Sequence, residues 1–294
     1  MQVNTINQVS SKGDPRYLNA VNPIYYYSRR YFNKMAVVSA QRFEPISDKL
    51  ESSIQKVKLR KASGWDINPN NSSKYVLFLH GMAQNVTDYQ PLYKEILDKG
   101  MGVFALEYRG YGKNKRTVIS ENKLRRDVKD AFSYLKDEKD IKPENITVMG
   151  HSMGGGLAAQ FASKEKDINS LVMISPIASL AMVNKKFLLN KRFGLGIPPL
   201  VKAFTDAVKP LRWLFELCFN SIRRMKDVEA PTYIIQSKND SVTMLNGSRK
   251  LIKAAKRKGI LKDFYIFQQG GHKVDDEKLN AVSSILNKII GKNI

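Results

Sequence analysis

The sequence predicts a soluble α/β protein, built on a doubly wound, mainly parallel sheet with a helical cap inserted into it. Short apolar runs alternate along the chain with amphipathic stretches, which is typical of strands buried on both faces and joined by crossover helices. One interval between strands, residues 176–231, is far longer than a crossover needs. The chain of 294 residues is therefore expected to form one domain with an insertion rather than two domains.

The segment before the first buried strand has a weak pattern. Residues 1–53 predict an irregular, partly helical lead-in, and residues 54–294 are assigned to the α/β domain. Ile54, Val57 and Leu59 stand among polar residues and predict an edge strand. A turn-rich link is expected to follow from Gly64 to Asn71.

Six continuous apolar runs predict the buried strands of the sheet: residues 75–79, 101–106, 146–149, 171–174, 232–235 and 264–267. Apolar residues at helical spacing predict amphipathic helices over 124–135 and 276–290. The cap of residues 176–231 is rich in apolar side chains, most of which are expected to pack on the sheet. Cys218 lies in an apolar part of the cap and is interpreted as a packing thiol.

The chain is strongly basic, since 49 Lys and Arg against 27 Asp and Glu give a net charge of +22. Such a balance attracts polyanions. The surplus is spread over the chain, which favours a basic, solvated surface, with attraction to anionic membranes as the second interpretation. No recognition motif supports sequence-specific binding of nucleic acid.

Several classes of protein are disfavoured by simple features of the sequence. A single cysteine excludes an intramolecular disulfide, and no Cys/His spacing typical of zinc is present. The polar N-terminus lacks the apolar core of a secretory signal, and no run of about 18 apolar residues occurs. A cytoplasmic protein, peripheral at membranes if the basic surface binds them, is expected. The alternative is an exported effector without a cleavable signal peptide, because the N-terminal composition resembles leaders of bacterial type III effectors.

The chemistry centres on a Gly-x-Ser-x-Gly motif formed by Gly150, Ser152 and Gly154. It lies between a predicted strand and a helical stretch, the context of a nucleophile elbow. Glycines are needed two residues before and after the serine because the sharp turn leaves no space for Cβ atoms. Ser152 is the candidate nucleophile.

A serine nucleophile needs a base, and the chain has three histidines. His151 lies within the elbow, where we expect its side chain to point away from the nucleophile's pocket. His80 follows an early strand and is expected to brace the loop there. His272 follows the strand of residues 264–267 on a glycine-containing loop, and is the candidate base.

The carboxylate that orients the base is expected between nucleophile and base in the chain. Asp240 follows the strand of residues 232–235 and satisfies the order Ser152, Asp240, His272. Asp275 and Asp276 come directly after His272 and are interpreted as the start of the terminal helix. They remain the alternative orienting groups.

The oxyanion of an acyl-transfer reaction needs two backbone N–H donors. One is expected from Met153, the residue after the nucleophile. The other is expected from Met82, in the loop after the strand of residues 75–79.

Five segments resemble the α/β-hydrolase superfamily, most closely its branch of serine esterases, monoacylglycerol lipases and BEM46-like proteins. They are YVLFLHGMAQN, EYRGYGKN, ITVMGHSMGGGLA, LVMISP and PTYIIQSKNDSV, within residues 74–290. The resemblance implies the α/β-hydrolase fold, a triad of Ser152, His272 and Asp240, and hydrolysis of an acyl ester or a related bond. One departure is that a short, Asn-rich link stands where the family usually has strands before YVLFL.

The function expected is that of a carboxylesterase, lipase or lysophospholipase acting through an acyl-enzyme on a small-molecule or lipid ester, without cofactor or metal. The alternatives are a peptidase or acyltransferase on the same fold, or an effector phospholipase acting on anionic host membranes. A non-catalytic binding protein is the remaining alternative. Gly110, Tyr111 and Gly112 do not complete a nucleotide-binding motif.

Overall fold

Eight strands form one sheet in the computed structural model of the protein, which describes residues 43–114, 117, 119–179, 182–183 and 219–291. The strands are β1 (Ile54–Lys58), β2 (Ser63–Ile67), β3 (Tyr75–Leu79), β4 (Gly102–Glu107), β5 (Ile146–His151), β6 (Ser170–Ile174), β7 (Thr232–Ser237) and β8 (Leu261–Phe267). Their spatial order is β1-β2-β4-β3-β5-β6-β7-β8. The predicted α/β class with a mainly parallel sheet is confirmed.

The order of the strands brings several carboxyl ends to one edge of the sheet. β1, β2 and β4 pair antiparallel, whereas β4, β3, β5, β6, β7 and β8 run parallel. Every residue of β3, β5, β6 and β7 is buried. The sequences of these strands are largely continuous apolar runs because helices cover the sheet on both faces.

β2 overturns one expectation, since residues 63–67 form a strand where the sequence predicted part of a turn-rich link. Two strands, β1 and β2, therefore precede β3 where the sequence suggested only one strand and a short link. β2 contains Gly64, whose missing side chain leaves space for the Phe104 ring: a Cβ there would lie 2.4 Å from it. The turn itself is shorter and is closed by Asn68, which accepts a hydrogen bond from the Ser72 amide.

The helices of the described residues lie on both faces of the sheet. They are α1 (Asp48–Glu51), α2 (Gln90–Asp98), α3 (Glu121–Ser133), α4 (Met153–Ala162), α5 (Ser221–Arg224), α6 (Leu245–Lys258) and α7 (Asp276–Gly291). Helices α2 and α7 pack on one face, and α3, α4 and α6 on the other. The two helices predicted over 124–135 and 276–290 correspond to α3 and α7. A π-helical turn, Tyr134–Glu138, extends α3.

Part of the predicted organisation lies outside the described residues. This applies to residues 1–42 of the lead-in and to residues 180–181 and 184–218 of the predicted cap, including Cys218. The cap therefore stays a prediction. Among the described residues, none of the helices combines the length and apolar character needed to cross a bilayer.

Candidate active site

Three side chains predicted to act together meet at the carboxyl edge of the parallel strands. Ser152 follows β5, Asp240 follows β7 and His272 follows β8. His272 Nε2 lies 3.0 Å from Ser152 Oγ, and His272 Nδ1 lies 2.9 Å from Asp240 Oδ2. The structure thus brings the candidate nucleophile, base and carboxylate into one continuous hydrogen-bonded chain.

The elbow holds Ser152 in a strained conformation, with φ 56° and ψ −116°. A Cβ at Gly150 would lie 2.2 Å from the carbonyl oxygen of Gly154, and a Cβ at Gly154 would lie 1.9 Å from that of Leu79. Both predicted elbow glycines are therefore required by backbone contact. Strain of this kind is retained where surrounding structure enforces it, here the junction of β5 with α4.

Asp240 is buried and saturated with hydrogen bonds. Its Oδ1 accepts from the amides of Val242 and Thr243, both at 2.8 Å. Its Oδ2 accepts from the Thr243 hydroxyl at 2.8 Å and from Gln236 at 3.2 Å, beside the contact to His272. Burial alone raises the pKa of Asp240, but the hydrogen bonds from His272, Thr243 and Val242 outweigh it and lower the pKa below its usual value. The carboxylate is thus kept ionised beside the imidazole.

The loop that carries His272 is fixed by side chains that the sequence did not indicate. Asn239 Oδ1 accepts from the Gly271 amide at 2.9 Å. Lys278 is fully buried, and its Nζ donates to the carbonyl of Gly270 at 3.1 Å. A lysine on a terminal helix is ordinarily solvated, so its inward position could only be found from the packing of α7.

The alternative orienting groups have other partners. Asp275 Oδ2 accepts from Lys278 Nζ at 3.2 Å, and Asp276 is the first residue of α7. Asp276 lies where the helix dipole favours a carboxylate. Asp240 is the carboxylate that contacts the His272 ring.

The candidate oxyanion donors lie on two adjacent backbone segments. Met153 is the first residue of α4, so its amide has no acceptor within the helix. Met82 lies in the loop after β3, a strand that pairs with β5 beside the elbow. In this loop Tyr89 Oη accepts from the Gly81 amide at 3.0 Å.

His80 also contacts this loop. Its Nδ1 lies 2.7 Å from the Gly81 carbonyl oxygen and its Nε2 lies 3.0 Å from Glu107 Oε1. Both side chains are buried. This geometry matches the structural role predicted for His80.

His151 takes part in the site, contrary to the expectation that it points away from it. Its Nε2 lies 2.7 Å from the carbonyl oxygen of His272, and the two rings are 4.9 Å apart. Its Nδ1 lies 2.7 Å from Tyr89 Oη. Burial lowers the pKa of His151 to about 3, so the ring is neutral and donates through Nε2. His151 and Tyr89 thereby join the loop of the base to the loop of Gly81.

The described residues contain no group of three or more His, Cys, Asp or Glu side chains arranged to hold a metal ion.

Comparisons with known proteins bear on the fold of the chain. A family model described as serine aminopeptidase, S33, matches residues 70–210. The uncharacterized protein YfhR of Salmonella typhi is 26% identical over 153 residues, or 45% of this chain and 52% of that protein. The chain thus spans about half the length of this curated relative.

Two solved structures share the architecture. An esterase of Pyrococcus furiosus aligns with a TM-score of 0.66 and 21% identity, over 85% of this chain and 95% of that one. An alpha-beta hydrolase from Vibrio vulnificus aligns with a TM-score of 0.64 and 20% identity, over 90% of this chain and 92% of that one. Likeness at this level of identity concerns the fold.

Proposed function

We propose that the chain, which shares its fold with solved α/β-hydrolases, is a serine hydrolase that cleaves carboxylic esters. One observation carries the proposal. His272 lies within hydrogen-bond distance of both Ser152 Oγ and the ionised carboxylate of Asp240. A base positioned in this way can take the serine proton while the carboxylate stabilises the imidazolium that forms.

The reaction proceeds in two halves. Ser152 Oγ attacks the acyl carbonyl carbon as its proton passes to His272 Nε2, and the Met82 and Met153 amides stabilise the oxyanion. His272 then protonates the leaving alcohol, and the C–O bond breaks to leave an acyl group on Ser152. Water attacks this acyl-enzyme as its proton passes to His272. The bond between the acyl carbon and Ser152 Oγ then breaks, His272 returns the proton to Oγ, and the acid is released. Asp240 holds the Nδ1 proton throughout, so the base keeps the productive tautomer.

The choice of an ester rests on the similar structures, one of which is an esterase. A second candidate is hydrolysis of an amide, because the matching family model is described as an aminopeptidase. Amide cleavage uses the same groups, but His272 protonates an amine. An acyltransferase would use the same acyl-enzyme with an alcohol or amine in place of water.

Turnover of p-nitrophenyl esters of increasing chain length, compared with aminoacyl p-nitroanilides, tests the proposal. The wild-type protein is expected to hydrolyse the esters, and Ser152→Ala to lose all but a residual rate. Removal of one triad member leaves about 10³–10⁴-fold acceleration over water in a well-studied serine protease. Ser73→Ala, a change of an exposed serine remote from the elbow, is the matched control and keeps the rate. Equal ester turnover by wild type and Ser152→Ala contradicts the proposal, and faster turnover of anilides favours the peptidase.

A further inference from the structure

Helix α6 has an unusually one-sided surface. Its 14 residues include six cations and no carboxylate. The cations are Arg249, Lys250, Lys253, Lys256, Arg257 and Lys258, and all are exposed. At about 100° per residue, all but Lys258 fall within an arc of about 120° opposite the buried face formed by Gly247, Leu251 and Ala255.

Among the described residues, nearby carboxylates do not neutralise these cations. Within the described part of the chain, no carboxylate lies within ion-pair distance of them, whereas Lys139, Lys166 and Lys288 on other elements do have such partners. The helix dipole favours cations only in the last turn, so it does not account for Arg249, Lys250 or Lys253.

Exposed apolar side chains lie at both ends of this cationic face. Among the described residues the large hydrophobic side chains with high exposure are Phe43, Met244 and Phe264, and two of these three border α6. Met244, 41% exposed, directly precedes the helix, and Phe264, 38% exposed, lies on the neighbouring edge strand β8. Lys256 Nζ lies 5.0 Å from the centre of the Phe264 ring.

We propose that this surface, α6 together with Met244 and Phe264, docks on a bilayer of anionic phospholipids. A helix of 14 residues is about 21 Å long, so it lays its cations along the headgroups while the two apolar side chains enter the interface. A nucleic acid would match the cations but would leave Met244 and Phe264 without a partner.

Docking in this way brings the candidate active site to the lipid. Met244 follows Thr243, whose hydroxyl donates to Asp240 at 2.8 Å, so one end of the docking surface adjoins the triad. The binding itself does not depend on the proposed hydrolysis. Vesicle binding is therefore tested with the Ser152→Ala protein, which lacks the proposed nucleophile. A failure to bind vesicles then cannot be confused with a failure to hydrolyse esters.

Co-sedimentation with vesicles of phosphatidylcholine alone, or mixed with phosphatidylglycerol, measures the binding. Ser152→Ala is expected to bind the anionic vesicles and to be released by 0.5 M salt. Adding Lys253→Gln, Lys256→Gln and Arg257→Gln is expected to weaken binding about 100-fold, since each exposed cation contributes about fivefold. The matched control adds Lys56→Gln, Lys58→Gln and Lys61→Gln, which change exposed residues in and directly after the opposite edge strand β1, and binds as before.

A second variant tests the apolar part of the surface. Phe264→Ser leaves every cation in place and is expected to weaken vesicle binding several-fold, while binding to duplex DNA stays the same. Equal binding to neutral and anionic vesicles, equal losses in the two triple variants, or an unchanged affinity of Phe264→Ser for vesicles each overturns the proposal.

Discussion

Asp240→Asn tests the role of the carboxylate, and its effect can be worked out from the hydrogen bonds. The amides of Val242 and Thr243 both donate to Oδ1, so the asparagine oxygen takes that position. The asparagine NH₂ group then takes the place of Oδ2 and donates to His272 Nδ1. The imidazole proton then has to lie on Nε2. Nε2 faces Ser152 and, once it carries this proton, cannot accept the serine proton.

The expected loss in kcat is about 10⁴-fold, equivalent to about 5 kcal/mol in the activation barrier. It is measured with a p-nitrophenyl ester between pH 7 and 9, together with thermal unfolding to confirm that the variant folds. Asp98→Asn removes an exposed carboxylate on α2 and is the matched control, with an unchanged rate. A folded Asp240→Asn protein that loses less than about tenfold in kcat would refute the assigned tautomer and with it the role of Asp240.

Three further changes probe the surroundings of the triad. Gly154→Ala places a Cβ 1.9 Å from the carbonyl oxygen of Leu79. The free energy of unfolding measured with urea should therefore fall by about 1–3 kcal/mol. An unchanged free energy of unfolding would contradict the contact. The lowered pKa of His151 contributes to stability fully above pH 6.5, and this contribution is lost as the pH falls towards 3. Between pH 7 and pH 4.5 the free energy of unfolding of the wild type should therefore fall by about 3 kcal/mol more than that of His151→Gln. Curves of unfolding free energy against pH that run parallel for the two proteins would exclude the shifted pKa. Lys278→Met removes the hydrogen-bond donor to the Gly270 carbonyl and so loosens the loop that carries His272. It should lower kcat about 10–100-fold with little change in Tm. An unchanged kcat would show that Lys278 is not needed to hold this loop.

Much of the fold follows from the sequence because the parallel strands are buried on both faces. Runs such as Tyr75–Leu79 and Thr232–Ser237 therefore stand out as continuous apolar segments. The sequence does not indicate β2, because residues 63–67 form a strand through contacts with neighbouring strands. Gly64 and Ser63 are typical of turns, and only pairing with β4 and the space needed by the Phe104 ring explain a strand there.

The candidate site shows the same division. Ser152, Asp240 and His272 could be selected from motif and chain order, since the elbow and the ends of strands fix where they lie. The contacts of His151 and Lys278 could not, because both depend on how loops after different strands meet. Periodicity places a residue on an element but does not say which loop from a distant part of the chain will lie against it.

Covalent labelling identifies the nucleophile of the proposed reaction, which we assign to Ser152. The wild-type protein is treated with a fluorophosphonate, and the modified peptide is identified by mass spectrometry. This assignment predicts one adduct per chain, on Ser152. A folded protein that stays unmodified, or that carries the adduct on another residue, would contradict it.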